Sequence, residues 1–157
     1  MKTKMKLLGL ALLGMLFIST SCKKEEEKIE ESFGIIFTVA TSEGDSWETS
    51  SAIGEMIGSE FVIKTSKDNK EVVLTIKDFA KGTYHFNDPL NHGTYTSNKS
   101  DATKNYISTN SADNYIEIIN IHSDGARFDG KFSFLATDVN NNVQTISGSW
   151  INVSTQE

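Results

Sequence analysis

Few residues in this chain have a chemistry of their own: one cysteine, three histidines and a surplus of carboxylates. His85, His92 and His122 show neither His-x-His nor His-x-x-x-His spacing, so their order composes no metal site, and each is expected exposed or singly hydrogen-bonded. A lone cysteine excludes an intrachain disulfide, a Cys-based zinc site and a redox dithiol, all of which need a second sulfur. Asp138, Asn140 and Asn142 put oxygen-bearing side chains at alternate positions, as the start of an EF-hand loop does. The central Gly and closing Glu of such a loop are missing, and a polar hairpin turn explains the same residues without an ion. With 21 Asp and Glu, carboxylate pairs for glycoside hydrolysis exist only as they do in any acidic β protein. Neither Gly-x-Ser-x-Gly nor a phosphate-cradling glycine loop occurs. No catalytic residue, metal or cofactor is therefore assigned from the sequence.

The cysteine has a more informative setting. Lys2, Lys4 and Lys6 precede an apolar or small stretch, Leu7 to Ile18, and Ser19, Thr20 and Ser21 then lead to Cys22. This is the layout of a secretory signal peptide over residues 1–21. Its apolar run of twelve residues is short of the ~20 that a membrane-spanning helix needs. The placement of Cys22 resembles a lipobox, with Ser19 where Leu is usual and Ile18 one position further back, a departure familiar in lipoproteins of the Bacteroidetes type. The resemblance implies that the Cys22 thiol is diacylated and becomes the new N-terminal residue. Two or three acyl chains exceed the marginal anchoring of one, so the membrane is an expected partner.

Residues 22–32 then read as the lipidated cysteine and a charged tether, in which Lys23 to Glu31 has almost nothing to bury. Lys24, Glu25 and Glu26 resemble the export signal that sends Bacteroidetes lipoproteins to the outer face of the outer membrane, and the implied location is the cell surface. Without residues 1–21 the chain carries 12 Lys plus Arg against 21 Asp plus Glu, a net charge of −9. Such a balance repels a phosphate backbone, and nucleic acid is excluded as a partner.

From Phe33 onward, short runs rich in Val, Ile, Thr, Tyr and Phe alternate with Gly, Asn, Asp, Ser and Lys, and no 3.6-residue apolar repeat persists. The pattern predicts one all-β domain over 33–154 with a tail at 155–157. Its candidate strands are Phe33–Ala40, Ser46–Ser50, Glu60–Thr65, Glu71–Lys77, Gly82–Phe86, Asn105–Thr109, Tyr115–His122, Ala126–Thr137 and Val143–Val153. Period two points Val72, Leu74 and Ile76 to the core, and Phe128, Phe132 and Phe134 likewise, with Gly130 between them and Asp129, Lys131 and Ser133 opposed. Turn chemistry at 66–70, at Asp124-Gly125 and at 138–142 predicts three hairpins. Ala52–Gly58 reads as a short helical turn weakened by its two glycines, and Asn87–Lys104, with the sole proline, as a long surface loop. An antiparallel β-sandwich or β-barrel built as a meander of hairpins buries one face of each strand.

Trp47 and Trp150 invite comparison with the Gly-x-Trp motif on the first strand of lipocalins. Gly44 precedes Trp47 by three positions, and Gly148-Ser149-Trp150 falls on the last strand, so that motif is not matched. The chain from 33 to 154 resembles instead a family of small Bacteroidetes lipoproteins of unknown function, through Gly44-Asp45-Ser46-Trp47, Phe61-Val62-Ile63, Val73-Leu74-Thr75-Ile76 and Gly82-Thr83-Tyr84. Gly130-Lys131-Phe132-Ser133-Phe134 and Ile146-Ser147-Gly148-Ser149-Trp150 complete the pattern. That family carries no assigned activity, so the resemblance transfers no catalytic residue. The reading is a lipid-anchored, surface-exposed, non-catalytic binding or accessory module for an extracellular ligand or protein that the sequence does not name. An extracellular hydrolase and a lipocalin-like barrel carrying a small apolar ligand are the alternatives.

Overall fold

The computed structural model describes residues 34–156. The expected signal peptide, Cys22, Lys24, Glu25 and Glu26 lie outside the described residues. Eleven strands follow in order: β1 (Ile36–Thr41), β2 (Ser46–Thr49), β3 (Ala52–Ile57), β4 (Glu60–Lys67), β5 (Lys70–Ile76), β6 (Gly82–His85), β7 (His92–Thr96), β8 (Asn105–Ser108), β9 (Tyr115–Ile121), β10 (Arg127–Thr137) and β11 (Val143–Gln156). A single 3₁₀ turn, Ala102–Lys104, is capped by Asp101, whose carboxylate accepts from the Thr103 amide. The domain is all-β, as the alternation of apolar and polar residues requires.

Strand pairing shows how the two candidate architectures combine. One layer runs β2-β1-β11-β10-β9-β6 and the other β3-β4-β5-β7-β8. They meet at two corners, where β11 pairs in parallel with β3 at Ser154–Gln156 and β10 pairs with β8 at Ala136 and Thr137. The hydrogen-bond circuit β11-β3-β4-β5-β7-β8-β10 therefore closes on itself. It is a flattened barrel, a sandwich whose two layers are joined edge to edge at these corners, with β1–β2 and β9–β6 as side ribbons. The three hairpins expected from turn chemistry, β4–β5, β9–β10 and β10–β11, are present. Between β5 and β7 the chain leaves its layer to lay β6 against β9, so the hairpin succession is interrupted there.

The core is a stack of rings between the layers. Phe128, Phe132 and Phe134 are buried as period two demands, and so are Val72, Leu74 and Ile76. Phe61 on β4 meets Phe128 on β10 edge-on at 5.4 Å, while Trp150 lies parallel to Phe37 at 5.6 Å. Room for these rings comes from glycines facing them. Gly130 is paired with Trp150 and Gly148 with Phe132 across β10–β11, and the indole and the phenyl ring cover the bare backbone where a Cβ would stand. Such glycine–aromatic pairs let large rings lie flat on a sheet.

Two local readings of the sequence are corrected. Ala52–Ile57 is strand β3 and not a helical turn: Gly54 faces the Phe61 and Phe128 rings at 2.5–2.9 Å from a would-be Cβ, so its glycine serves close packing in a strand. The stretch 87–104 is not one loop, since His92–Thr96 forms β7 between β5 and β8. There Gly93 takes the edge of Phe134, and Tyr95 is fully buried.

Candidate functional site

The registers sort the loops into two ends. At one lie the β3–β4 tip at 58–59, the 77–81 connection, the β9–β10 hairpin and both ends of the described chain, because Ile36 pairs with Ile151 and Gln156 with Glu55. At the other lie the β1–β2 turn at 42–45, the β4–β5 turn at 68–69, the 97–104 connection and the β10–β11 turn at 138–142. The second end is called the rim.

Asp45 is the centre of the rim. Its turn is shaped by Gly44 at φ 89°, and the Thr41 amide donates to the Asp45 carbonyl at 2.8 Å. The carboxylate then accepts from Lys70 Nζ at 2.6 Å and from the Tyr95 hydroxyl at 2.8 Å. The Lys70 ammonium holds the Asp45 carboxyl below the usual carboxylate range against the opposing effect of partial burial, and the Tyr95 hydroxyl adds to the lowering. Burial, and next the bond to Asp45, push the Tyr95 phenol up, so it stays a neutral donor. Tyr106 stacks on Tyr95 at 6.1 Å. The Lys99 amide donates to the Asn69 carbonyl at 2.8 Å, and the Ser42 amide to the Thr145 carbonyl at 3.0 Å. Three of the four loops are thus tied to one another, and the β1–β2 turn also to β11, which makes this part of the rim a rigid platform. Lysine and carboxylate alternate over it: Glu71 lies between Lys64 at 3.4 Å and Lys99 at 3.2 Å. On the adjoining outer face of β2, β1 and β11, small polar side chains including Thr38, Ser46 and Ser147 border a shallow groove of about 400 Å³.

The sequence-derived candidates are placed as follows. His85 and His92 are exposed, at the end of β6 and the start of β7, and His122 is half-buried beside β10. The structure does not bring the three together, and among the described residues no group of three His, Cys, Asp or Glu is arranged to hold a metal ion. His122 Nε2 lies 3.1 Å from Asp129 Oδ1, which also accepts from the Asn152 amide at 2.8 Å. Partial burial raises the Asp129 carboxyl, but the Asn152 amide and the His122 ring outweigh it and the net shift is downward. This His–Asp pair has the geometry of an oriented base without a nucleophile: its bonds run to Asn120 and Asn152, and no hydroxyl or thiol joins it among the described residues. Asp138 turns inward on its own hairpin, with Oδ1 accepting from the Asn140 and Asn142 amides and Oδ2 from Asn142 Nδ2 at 2.8–2.9 Å. Those bonds are the internal hydrogen bonds of a polar hairpin turn. The Trp150 indole N–H is buried without an acceptor among the described residues.

The Asp45–Lys70–Tyr95 network is the feature that sequence reasoning missed. Its turn was visible as Gly44-Asp45, but the partners stand 25 and 50 positions away, and only the β1–β2 and β5–β7 registers bring them together. Among the described residues no helix is long and apolar enough to cross a membrane. No curated protein and no solved structure matches the chain. Residues 37–154 match the family described as a domain of unknown function, DUF6252. That span covers nearly all of β1 through nearly all of β11, and the chain belongs to the DUF6252 family.

Proposed function

We propose that this protein is a non-catalytic binding or accessory module, anchored in the outer membrane through acyl chains on Cys22 and displayed at the cell surface, with the rim around Asp45 as its binding face. One observation carries the reading. Both ends of the described chain leave the sandwich at the end opposite the rim, so a tether running back to Cys22 would leave the rim turned away from the membrane. The rim's tied loops suit a binding face, because loops fixed by a scaffold recognise a partner at low ordering cost. The filled interior, with Trp150 and six other large rings or aliphatics at under 2 % exposure among the β10, β11 and β1 neighbours, favours a surface binder over a carrier of an apolar ligand.

The test has two arms. Growth with an alkyne fatty acid should label the wild type and not Cys22→Ala, which should leave the membrane fraction. A photoreactive side chain at Asn141 on the rim should form adducts on intact cells in clear excess over one at Asp124 on the opposite end. Equal adducts from both positions would contradict the rim as the binding face.

A further inference from the structure

Apart from the rim, the exposed feature with the clearest place in the fold is the tip of the β3–β4 hairpin. Met56 and Ile57 are 53 % and 55 % exposed, side by side before a turn made of Gly58, at φ 65°, and Ser59. Two large apolar side chains at the apex of a tight turn contribute little to the core, and their exposure to water is unfavourable by the area they leave uncovered. The tip also stands at a defined height. Gly34, where the described chain begins, is level with Val153 or Ser154, because Ile36 pairs with Ile151. Ser154 in turn pairs with Ile53. Ile57 is four residues further along β3 in the same direction, about 13 Å beyond that level at the usual strand rise.

We infer that Met56 and Ile57 form a second contact with the lipid surface, resting in the headgroup region and fixing the orientation of the domain; this inference rests on the anchor reading above. Residues 23–33 separate Cys22 from Gly34. Eleven residues span at most about 40 Å, so the end that carries the tip would stay within reach of the bilayer to which Cys22 is attached. The charges at this end are acidic on balance: Glu55, Glu60, Asp78, Asp88 and Asp124 against Lys77, Lys81 and Arg127, with Lys77 paired to Asp88 and Arg127 to Asp124. Attraction to anionic lipid is therefore not its basis. The contact is apolar, and it should persist in salt and be stronger on neutral phosphatidylethanolamine than on phosphatidylglycerol.

The experiment uses the full acylated chain, in which Cys22 offers no free thiol. An environment-sensitive fluorophore is placed at Ile57→Cys or, as a rim control, at Val139→Cys, and each protein is reconstituted into phosphatidylethanolamine-rich vesicles carrying brominated acyl chains. Quenching at position 57 is expected to exceed that at 139 several-fold and to be unchanged by 0.5 M salt, which roughly halves the Debye length of about 8 Å at physiological ionic strength. Flotation of the wild type but not of Cys22→Ala reports the anchor separately. A protein that floats without excess quenching at 57 overturns the tip contact and leaves the anchor standing, whereas a chain that does not float overturns both. A spectral shift at 57 that appears without vesicles and grows with protein concentration would show a second copy covering the tip and would also overturn the lipid contact.

Discussion

Gly130 and Gly148 face Trp150 and Phe132 across the β10–β11 hairpin, and each lacks room for a methyl group. At Gly130 the obstruction includes the Glu117 carbonyl as well as the indole, so relief would require movement of backbone. Gly130→Ala should accordingly cost about 1–3 kcal/mol, the range for overpacking a filled core, while Ser133→Ala on the outer face of the same strand should stay within about 0.5 kcal/mol. Phe132→Ala, which empties a site exposed by only 2 %, should cost about 3–5 kcal/mol. Urea unfolding of the Cys22→Ala protein measures all three, and a loss below about 1 kcal/mol for Phe132→Ala would contradict the register. Asp45 gives a pH dependence of known sign. Its folded carboxyl is held below the ordinary value near 3.9, so its contribution is complete above that value and is lost as pH falls through the folded one. The stability gap between wild type and Asp45→Asn should be constant from about pH 6 to 8 and shrink below about pH 4; a gap that widens in acid would reverse the assignment.

At the scale of elements, the closure of the sandwich rests on short seams. Three residue pairs join β11 to β3, against the long register shared by β10 and β11. A chain ending at Val153 should keep the β10–β11 hairpin protected while amide exchange in β3 accelerates, because opening of the seam no longer requires global unfolding; unchanged exchange in β3 would show that the β3–β4 pairing alone holds that strand. The same short elements explain what was legible in advance. β10 declares itself through Phe128, Phe132 and Phe134 alternating with charged or polar residues over a long strand. β3 and β7 did not, because Gly54 and Gly93 interrupt the apolar pattern at the positions where Phe rings arrive from other strands. A glycine that serves a distant ring looks, in sequence, like a glycine that breaks a strand. The rim network was hidden for a related reason: the Asp45 turn is local, whereas Lys70 and Tyr95 reach it only through the packing of one layer on the other.

For the whole molecule, the two ends of the sandwich differ in kind. One carries the chain ends and the exposed Met56–Ile57 tip; the other carries the loops tied together through Asp45 and Asn69, with Val139 and Val143 exposed beside them. A lipid on Cys22 and an address in Lys24, Glu25 and Glu26 would turn this asymmetry into display, with the rim facing the medium. Replacing Glu25, Glu26 and Glu27 by alanine touches none of the described core, so folding and acylation should be kept. The most direct measurement is labelling of Asn141→Cys by a membrane-impermeant maleimide on intact cells of the native host, in the wild-type tether and in the triple-alanine tether, with lysed cells as the reference. The account predicts strong labelling of the first and labelling of the second only after lysis. Equal labelling of both tethers on intact cells would contradict the address, and a wild type labelled only after lysis would contradict surface display itself.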